Sequence, residues 1–580
     1  MVFYPPSWAP KLNDNDIPDD ISLGEFVFND KYRPHKCDAS PAPFINSIDG
    51  AAYSVHETQE RIEWLAAGLA SELGIQDGQG DEWDRVVSIF AVNNIYNPLL
   101  SWAIHRFNGV VAPVNAAFQA SELAYQLKDS RSKCLFTSAS HLETALEAAK
   151  IAGIPASQVF LLPIPGYSTP PPSLSNHECP SLNDLLEAGR LLPALPRIAW
   201  SKGQGRKQAA YICYSSGTSG PPKGVVISHY NIIANILQNT LFELHLRPGS
   251  QREIMTGVLP QSHIYSIVLG IHVPAFRGDT VVVMPKFDLM SFVQAVKTYK
   301  VTMLYVVPPI LIEMAKQTAV AKDPSFFELP SVRRIFCGAA PLSEELTVQI
   351  RDIYPGVLLG QGYGMTEAPT VIASHPAEVY DGSAGCLITG MEARVMDAEG
   401  REVTEFDTPG ELFVRGPNIA LGYYKNEKAT EETFSNGWLR TGDEVEFRLH
   451  PKTKDAHLFI VDRVKELIKV SGFQVAPAEL EGHLLAHSLV ADCAVIPVPS
   501  ERSGEVPKAL VVLKESAGVS HAAAEQELLS WVAQHKSKAK HLRGGIEFLQ
   551  EIPKSPSGKI LRRLLRDRER KRLVEHRPRL

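Results

Sequence analysis

The chain has little cysteine, and the cysteines it has are dispersed. Its 580 residues include 7 of them, and no two form a Cys-x-x-Cys pair. An odd and scattered set argues against a disulfide-stabilised scaffold and against a zinc ribbon. The sequence therefore predicts a protein of a reducing compartment.

Long apolar runs, a strong charge excess and internal repeats are also lacking. No apolar stretch reaches transmembrane length, and the segment Met1–Pro6 does not have the pattern of a secretory signal peptide. The formal net charge is -7, so the overall field of the protein does not attract nucleic acid. With 44% hydrophobic and 21% charged residues, the composition is that of an ordinary globular protein with several cores.

The pattern of strands and helices changes along the chain and predicts an α/β protein. Residues 1–50 are rich in proline and aspartate, which predicts a wrapped N-terminal arm. Strand-like and helical segments then alternate up to about residue 380, which predicts two β/α subdomains with parallel sheets. Short strands with glycine turns predict a small β-barrel-like subdomain over 381–462. Residues 463–580 are predicted to form a small, mobile α+β domain with a basic tail.

One loop carries the strongest chemical signal. The segment Ser215–Gly224 follows the strand-like run Ala209–Tyr214 and precedes a helix-like run that begins near His229. Its glycines let several backbone N–H groups face one anion, while its hydroxyls and Lys223 add donors and charge, which suits a polyphosphate. A flexible linker is the alternative for such a loop alone. A Walker-type P-loop is excluded because its lysine is followed by Ser or Thr, whereas glycine follows here.

A glycine-rich segment, Gly360–Glu367, comes just after a strand-like run. Its glycines permit the close approach of a flat ligand, and Tyr363 offers a ring for stacking. Thr366 offers a hydroxyl, and Glu367 offers the hard oxygen that Mg²⁺ prefers in combination with phosphate. A purely structural turn is the alternative interpretation of this segment.

Three more segments are weak signals alone and become informative only in combination with the others. Gly437–Asp443 places a carboxylate in a turn, where it can accept from both hydroxyls of a ribose or merely form the turn. Asp462–Val475 lies at the predicted domain border, and an exposed linker is the alternative interpretation of its charged residues. Pro553–Ile560 carries Lys559 on a tight Ser/Gly loop, where lysine is usually just solvated.

Together and in this order, these segments resemble the adenylate-forming (AMP-binding) superfamily, specifically its acyl-CoA synthetase and 4-coumarate–CoA ligase-like branch. The resemblance runs from about residue 50 to 565. It implies an adenylation domain over 51–462 and a C-terminal domain over 463–580. It also implies ATP, Mg²⁺ and CoA as cofactors. In the implied reaction, a carboxylate attacks the α-phosphate of ATP to give acyl-AMP and pyrophosphate, and the CoA thiolate then displaces AMP.

The resemblance also implies roles for individual residues in the first step. Glu367 holds Mg²⁺, Thr366 contacts the α-phosphate, and Lys559 reaches between the carboxylate and the α-phosphate. Asp443 and Arg463 hold the ribose. The β- and γ-phosphates are wrapped by Ser215, Ser216, Gly217, Thr218, Ser219, Gly220 and Lys223. The adenine slot is formed by Gly338, Ala339, Ala340, Gln361, Gly362 and Tyr363, next to Gly364.

For the second step, the resemblance implies that the C-terminal domain rotates about Lys465. The residues that then face the active site are Lys469, Ser471, Gly472 and Gln474. His263 matches a gating position beside the acyl pocket; a buried core histidine is the alternative. The predicted substrate pocket comprises Tyr265, Leu269, Gly364, Thr370 and Val371.

Departures from the hydroxycinnamate ligases concern the substrate. Those ligases have Ala-Gly-Pro-Val after the Thr-Glu pair, whereas this chain has Ala368-Pro369-Thr370-Val371. The segment Ile267–Leu269 is apolar throughout. An aromatic acid other than 4-coumarate, or a medium-chain acid, is therefore expected, with secondary metabolism as the expected setting.

Two other functions stay open on the sequence alone. The chain could load a carrier protein in trans, since no carrier domain follows Lys559. It could also bind nucleotide without catalysis, although Lys559, Glu367 and Asp443 argue against this. The expected partners are a small carboxylic acid, ATP and CoA, with neither nucleic acid nor a membrane span. The last residues, Pro578-Arg579-Leu580, resemble a degenerate peroxisomal address, the alternative being a frayed basic tail in a cytoplasmic protein.

Overall fold

The structure is a computed structural model of the chain. It describes residues 1–75, 80–166, 179–215, 222–247, 251–320, 324–342, 344–463, 466–470, 473–500, 503–514, 518–554 and 558–575. Several predicted functional residues lie outside these ranges: Ser216, Gly217, Thr218, Ser219, Gly220, Lys465, Ser471, Gly472 and the C-terminal Pro578–Leu580.

The strands are numbered in chain order. They are β1 (Phe44–Asn46), β2 (Val86–Phe90), β3 (Val110–Val114), β4 (Cys134–Ser138), β5 (Val159–Leu162), β6 (Ala209–Ser215), β7 (Lys223–Ser228), β8 (Ile254–Gly257), β9 (Thr280–Val283), β10 (Met303–Val306), β11 (Arg334–Cys337), β12 (Leu358–Met365), β13 (Ala368–Ser374), β14 (Cys386–Leu387), β15 (Glu392–Met396), β16 (Gly410–Arg415), β17 (Gly422–Tyr423), β18 (Phe434–Ser435), β19 (Trp438–Leu449), β20 (Ala456–Arg463), β21 (Ile468–Val470), β22 (Phe473–Val475), β23 (Val490–Ser500), β24 (Gly504–Leu513) and β25 (Ile546–Phe548).

The α-helices are likewise numbered in chain order. They are α1 (Leu23–Val27), α2 (Val55–Glu72), α3 (Tyr96–His105), α4 (Ala120–Ser130), α5 (Leu142–Ala152), α6 (Leu182–Leu191), α7 (His229–Phe242), α8 (Val273–Arg277), α9 (Leu289–Thr298), α10 (Pro308–Val320), α11 (Glu344–Ile353), α12 (Glu427–Thr433), α13 (Pro477–Leu485), α14 (His521–His535) and α15 (Arg562–Glu575). A π-helical segment, Ser266–His272, leads directly into α8.

Two mainly parallel sheets form the large N-terminal part. The first has the strand order β17-β7-β6-β3-β2-β4-β5, and the second has the order β1-β9-β8-β10-β11-β12-β13-β14. Every residue of β2, β3 and β4 is buried, as expected for parallel strands covered by helices on both faces. The fold class predicted from the alternation of strands and helices is therefore confirmed.

The N-terminal arm is part of this architecture. Its strand β1 pairs with β9 at the edge of the second sheet. Phe3 forms a bridge with Ala393 and stacks on Phe447 at a ring-centroid distance of 3.9 Å. The arm is therefore held at both ends by sheet pairing and aromatic packing.

Two smaller sheets complete the chain. The strands β15, β16, β19, β18 and β20 form an antiparallel sheet that extends to Arg463. The last sheet has the order β22-β21-β24-β23 with β25 beside β24, and it has a hydrophobic core of its own beneath α13 and α14. A separate core of this kind is what an independent α+β domain requires.

Two segments expected outside strands lie largely within strands in the structure, and this corrects the expectation from sequence. Gly360–Met365 of the glycine-rich segment belong to β12, which pairs with β11 on one side and with β13 on the other, and Thr366 and Glu367 form the turn that follows. Glycine disfavours strands, but here it permits close packing, because a Cβ atom on Gly362 would lie 2.3 Å from the Phe336 ring. Asp443 lies within β19, opposite Arg463 of β20, because the sheet pairing overrides the local turn signal.

Candidate active site

The carboxylate of Glu367 lies next to the base of the predicted phosphate loop. Ser215 and Lys223 are paired across the antiparallel strands β6 and β7, so both ends of the loop start from one place. Ser215 Oγ donates a hydrogen bond to Glu367 Oε1 at 3.0 Å. The structure thus brings Ser215, Lys223 and Glu367 together, as predicted, and half-buried Thr366 is adjacent in the turn before β13.

Tyr423 is a member of this cluster that the sequence did not indicate. Its hydroxyl donates to Glu367 Oε1 at 2.9 Å, and Lys223 Nζ lies 4.7 Å from the centroid of its ring. Tyr423 reaches this place because the two-residue strand β17 pairs with β7 at the edge of the first sheet. The short Gly-Tyr strand carries no local signal of such a role.

The predicted ribose site is built on neighbouring strands. Arg463 Nε lies 3.5 Å from Asp443 Oδ1, and Tyr363 OH donates to Asp443 Oδ2 at 2.5 Å. Burial raises the pKa of Asp443, while the charge of Arg463 and the hydrogen bond from Tyr363 oppose this effect. Tyr363 was predicted as a stacking ring, and its hydroxyl also fixes the orientation of the Asp443 carboxylate, the predicted ribose ligand.

Lys559 lies on a loop of the small domain that contacts the large domain. The loop is closed by a bridge between Lys554 and Ile560. Gly558 has a φ of +83°, and a Cβ atom there would lie 2.9 Å from Pro309 Cγ at the start of α10. A glycine is therefore required both for the backbone conformation and for the close approach.

The electrostatics of Lys559 show which groups surround it. Burial, together with the charge of Arg463, lowers the pKa of its amine to about 8. The carboxylates of Glu466, Asp443 and Glu367 act in the opposite direction. The predicted catalytic lysine, ribose carboxylate and metal ligand thus meet in one site, although they come from distant parts of the chain.

His263 and Tyr265 lie beside this site. Burial, together with the charge of Lys559, lowers the pKa of His263 to about 4. His263 Nδ1 accepts a hydrogen bond from the backbone N–H of Tyr265 at 3.2 Å. The ring of Tyr265 lies against Gly338 of the predicted adenine slot, and its hydroxyl donates to the carbonyl oxygen of Phe336 at 3.2 Å. His263 is neutral at pH 7 and sits between the lysine and the predicted acyl pocket.

The remaining residues of the predicted adenine slot lie at the ends of β11 and β12. Ala339 is exposed and left-handed, with a φ of +68°, and half-buried Ala340 follows it. Gln361 Oε1 accepts from the backbone N–H of Leu342 at 3.1 Å, which ties the two strand ends together. The slot therefore follows the carboxyl ends of parallel strands, where open α/β sheets bind ligands.

A cavity beside Tyr265 corresponds to part of the predicted substrate pocket. It is lined by Thr256, Gly257, Leu259, Tyr265, Ser266, Leu269, Gly270 and Tyr305. Three other predicted pocket residues do not line it, namely Gly364, Thr370 and Val371. Thr370 Oγ1 instead donates to the carbonyl oxygen of Ile264 at 2.7 Å, so it holds β13 against the segment before the cavity.

Two of the residues predicted for the second step, Lys469 and Gln474, lie on paired strands of the small domain. Lys469 and Gln474 are opposite each other on β21 and β22, and Lys469 is exposed. The backbone N–H of Lys469 donates to Glu505 Oε2 at 2.9 Å within the same domain. The structure therefore places Lys559, not Lys469, near the predicted nucleotide-binding residues Asp443, Glu367 and Arg463.

Arg562 was not singled out by the sequence, where it is one of a row of basic residues. It lies three positions after Lys559 and forms ion pairs with Glu466 at 2.6 Å and with Glu481 at 2.5 Å. All three side chains are nearly buried, so the start of α15 is anchored to the segment that follows the domain border. Its position directly after the Lys559 loop is the one signal that pointed to it.

The described residues contain neither a ready-made metal cluster nor a helix suited to a bilayer. In that part of the chain, no set of three His, Cys, Asp or Glu side chains is arranged to hold a metal ion. No helix within the same ranges combines the length and the apolar character that crossing a membrane requires.

Comparisons with known proteins show the family to which the chain belongs. A family model described as "AMP-binding enzyme" matches residues 37–424, and one described as "AMP-binding enzyme C-terminal domain" matches residues 479–559. The acyl-CoA ligase easD of Emericella nidulans is 36% identical over 574 residues, which cover 98% of this chain and 100% of that protein. The acyl-CoA ligase cm3C of Cordyceps militaris is 34% identical over 98% of this chain and 90% of its own length.

A ligase from another organism and a solved structure extend this set. A probable 4-coumarate–CoA ligase 3 of Dictyostelium discoideum is 35% identical over 90% of this chain and 91% of its own length. Among solved structures, the anthranilate CoA ligase AuaEII in complex with anthranoyl-AMP superimposes with a TM-score of 0.81 at 22% identity, covering 97% of this chain and 100% of that one. At this identity, the structural match shows the shared fold.

Proposed function

Because the chain belongs to the AMP-binding enzyme family, we propose that it joins an aromatic or medium-chain carboxylic acid to coenzyme A through an acyl-AMP intermediate. The enzyme class, an AMP-forming acid–CoA ligase, follows from relatives named acyl-CoA ligases that match nearly the whole chain. The observation that carries the proposal is the meeting of Lys559 with Asp443, Glu367 and Arg463.

In the first step, the acid's carboxylate oxygen attacks the α-phosphorus of ATP and pyrophosphate leaves. A carboxylate is a weak nucleophile that approaches a polyanion, so positive charge and positioning dominate the catalysis. Lys559 supplies charge between the carboxylate and the α-phosphate, and Lys223 supplies it at the base of the phosphate loop. Asp443, oriented by Arg463 and Tyr363, accepts hydrogen bonds from the ribose hydroxyls.

The residues present fit a magnesium ion held together with ATP. Mg²⁺ is commonly bound by one or two carboxylates plus substrate phosphates, and Glu367 provides one such carboxylate beside the phosphate loop. When bound, the ion would neutralise phosphate charge. Ser215 and Tyr423 fix the orientation of the Glu367 carboxylate through its Oε1 atom.

In the second step, the CoA thiolate attacks the acyl carbonyl carbon and AMP leaves. Lys559 lies in the nucleotide site in this structure, so a different face of the small domain would be required for thioester formation. We assign that face to the hairpin of Lys469 and Gln474 together with Ser471 and Gly472, and the hinge to Lys465. This assignment rests on the family resemblance and on the exposure of Lys469.

The proposal is tested by supplying ATP, Mg²⁺, CoA and a panel of aromatic and medium-chain acids. Pyrophosphate release and CoA thioester formation are measured separately for each acid. We expect both products with at least one acid of the panel. The absence of pyrophosphate with every acid would contradict an enzymatic function, and pyrophosphate without thioester would favour transfer to a carrier protein.

We also propose a peroxisomal location on the basis of Pro578-Arg579-Leu580, which resembles the Ser-Lys-Leu address. The test is imaging of an N-terminally tagged chain with and without these three residues. The full chain should co-localise with a peroxisomal marker, and the shortened chain should spread through the cytoplasm. An unchanged distribution would contradict the proposal.

A further inference from the structure

Tyr305 presents a buried hydroxyl group that no described residue satisfies. The residue is 2% exposed, and within the described part of the chain its hydroxyl has no hydrogen-bond partner. Its backbone is fully engaged, because the N–H donates to Thr256 Oγ1 at 3.2 Å and the carbonyl oxygen accepts from the same hydroxyl at 3.5 Å. Buried hydroxyl groups are nearly always paired, so this one calls for a partner from outside the chain.

The hydroxyl belongs to a residue that lines the cavity next to the candidate active site. Tyr265 and Leu269, two predicted substrate-pocket residues, line the same cavity. The Tyr265 ring lies edge-on to the Tyr305 ring, with the centroids 6.1 Å apart. Apart from the backbone, Thr256 and Ser266, the other lining groups are apolar or aromatic.

The position of Tyr305 in its strand fixes its depth below the reacting groups. Val307 lies at the carboxyl end of the strand, and its side chain is 3.8 Å from the Cβ position of Gly558, next to Lys559. Tyr305 is two residues earlier and faces the same side of the sheet, about 7 Å deeper. An acyl group with several methylene groups or one aromatic ring would span this distance from its reacting carboxylate.

Buried charged side chains lie behind Tyr305. They are about two residues further along the strands from the predicted nucleotide site. Tyr305 pairs with Phe336 across the sheet, and Arg334 lies two residues before Phe336 on the same face. The charged side chains that act on the Tyr305 hydroxyl are Glu243, Arg277, Arg334 and Asp279. Within the described residues, Arg277 Nη2 and Arg334 Nε and Nη1 are also buried without a partner. A buried charged cluster therefore lies behind Tyr305, outside the lining of the cavity.

The buried arginines of this group already have carboxylate partners. Arg247, Arg277 and Arg334 pair with Glu243, Glu253 and Asp279, and the partly exposed Arg333 also pairs with Glu253. A second carboxylate on the substrate would lose its hydration in this buried region and compete with these existing ion pairs, which is costly. A neutral oxygen atom, such as that of a ketone or an alcohol, is the group that this place can accept.

We propose that Tyr305 is a specificity-determining residue whose hydroxyl donates a hydrogen bond to a neutral oxygen at the distal end of the acyl group. This inference rests on the proposed ligase function and narrows its substrate class. The preferred acids are those that carry a keto or hydroxyl oxygen remote from the carboxylate. Unsubstituted acids of the same length leave the Tyr305 hydroxyl unpaired and are activated less efficiently.

The test uses acids that differ only in the distal oxygen. The probes are octanoate, its 5-, 6- and 7-oxo derivatives, octanedioate, cinnamate and 4-hydroxycinnamate, with pyrophosphate release as the readout. In the wild type, at least one oxygenated acid should exceed its unsubstituted parent in kcat/KM by about tenfold or more, and octanedioate should not. The decisive quantity is the ratio of kcat/KM for the oxygenated acid to kcat/KM for its unsubstituted parent. In Tyr305→Phe, which removes the oxygen atom alone, this ratio should fall to about one.

Tyr354→Phe is the matched control, because it makes the same change at a second buried tyrosine that does not line the cavity. It should leave the ratio unchanged. A second readout, the shift in melting temperature caused by the acyl-sulfamoyl adenosine analogues of the same acids, needs no turnover and also verifies that each variant folds. In the wild type, the oxygenated analogue should give the larger shift.

The outcomes separate this inference from the ligase proposal. No pyrophosphate with any acid would refute the ligase function. Pyrophosphate release with a ratio that does not depend on the Tyr305 hydroxyl would overturn the inference alone, and would mean that a buried water molecule satisfies this group. Preference for octanedioate would likewise overturn it, because the existing ion pairs would then not exclude a second carboxylate.

Discussion

The replacement of Lys559 by alanine tests the division of labour between the two steps. Its amine is the group that contacts both the incoming carboxylate and the α-phosphate in the proposed mechanism. Removal of one preorganised charge of this kind costs about 3–4 kcal/mol of transition-state stabilisation, or about 10²–10³-fold in rate. We therefore expect acyl-AMP formation to fall by that factor in Lys559→Ala.

The second half-reaction provides the internal control. Thioester formation from a supplied acyl-AMP and CoA should be largely retained in the variant, because Lys559 is proposed to act only in adenylation. The two half-reactions are measured separately, as pyrophosphate release and as thioester formation. Equal losses in both would refute the assignment of Lys559 to the first step.

The pH dependence of the wild type follows from the same residue. Burial lowers the pKa of Lys559 to about 8, so in the free enzyme about nine-tenths of it is charged at pH 7 and about one-tenth at pH 9. Because the charged form is the active one, kcat/KM for adenylation should fall about tenfold from pH 7 to pH 9. Bound ATP stabilises the charged amine, so the decline in kcat should lie at higher pH. In Lys559→Arg, the decline near pH 8 should disappear, and its persistence would point to another group.

Two further substitutions test how the site is held together. Gly558→Ala should lower adenylation by about tenfold, since the added Cβ meets Pro309 and the left-handed backbone costs about 1–2 kcal/mol. Gly545→Ala, with a φ of +80° but no atom closer than 3.9 Å, imposes the same strain without the contact and should lower it far less. Tyr423→Phe removes a hydrogen bond to the proposed magnesium ligand, and the Mg²⁺ concentration for half-maximal activity should rise about tenfold. An unchanged Mg²⁺ dependence would contradict that role for the carboxylate.

Local sequence patterns predicted most of the architecture. The alternation of buried strand-like runs with helical spacing indicates parallel sheets because a βαβ unit covers both faces of each strand, as the fully buried Val86–Phe90 shows. Helix starts were also predictable where a capping residue is present; α7, for example, begins directly after Ser228, which caps it. The glycine-rich strand β12 was not predictable, because pairing with two neighbouring strands overrides the low strand preference of glycine.

The sequence also indicated the residue types of the candidate site. Hydroxyls, glycines and a lysine suit phosphates, and carboxylates suit ribose and metal wherever they stand in the chain. These preferences belong to the functional groups themselves, so residue chemistry was enough to nominate Lys223, Glu367 and Asp443. Lys559, however, gained its meaning only from the family resemblance.

Tertiary structure alone decided which of these groups meet and what surrounds them. The pKa of Lys559 depends on burial and on charges from distant strands, and Tyr423 reaches Glu367 only because a two-residue strand is added at a sheet edge. In sequence, Tyr305 is an ordinary core residue of the run Met303–Val306. Only the folded structure shows that its hydroxyl is buried without a partner among the described residues. Such properties arise from contacts between segments far apart in sequence, and no local pattern carries that information.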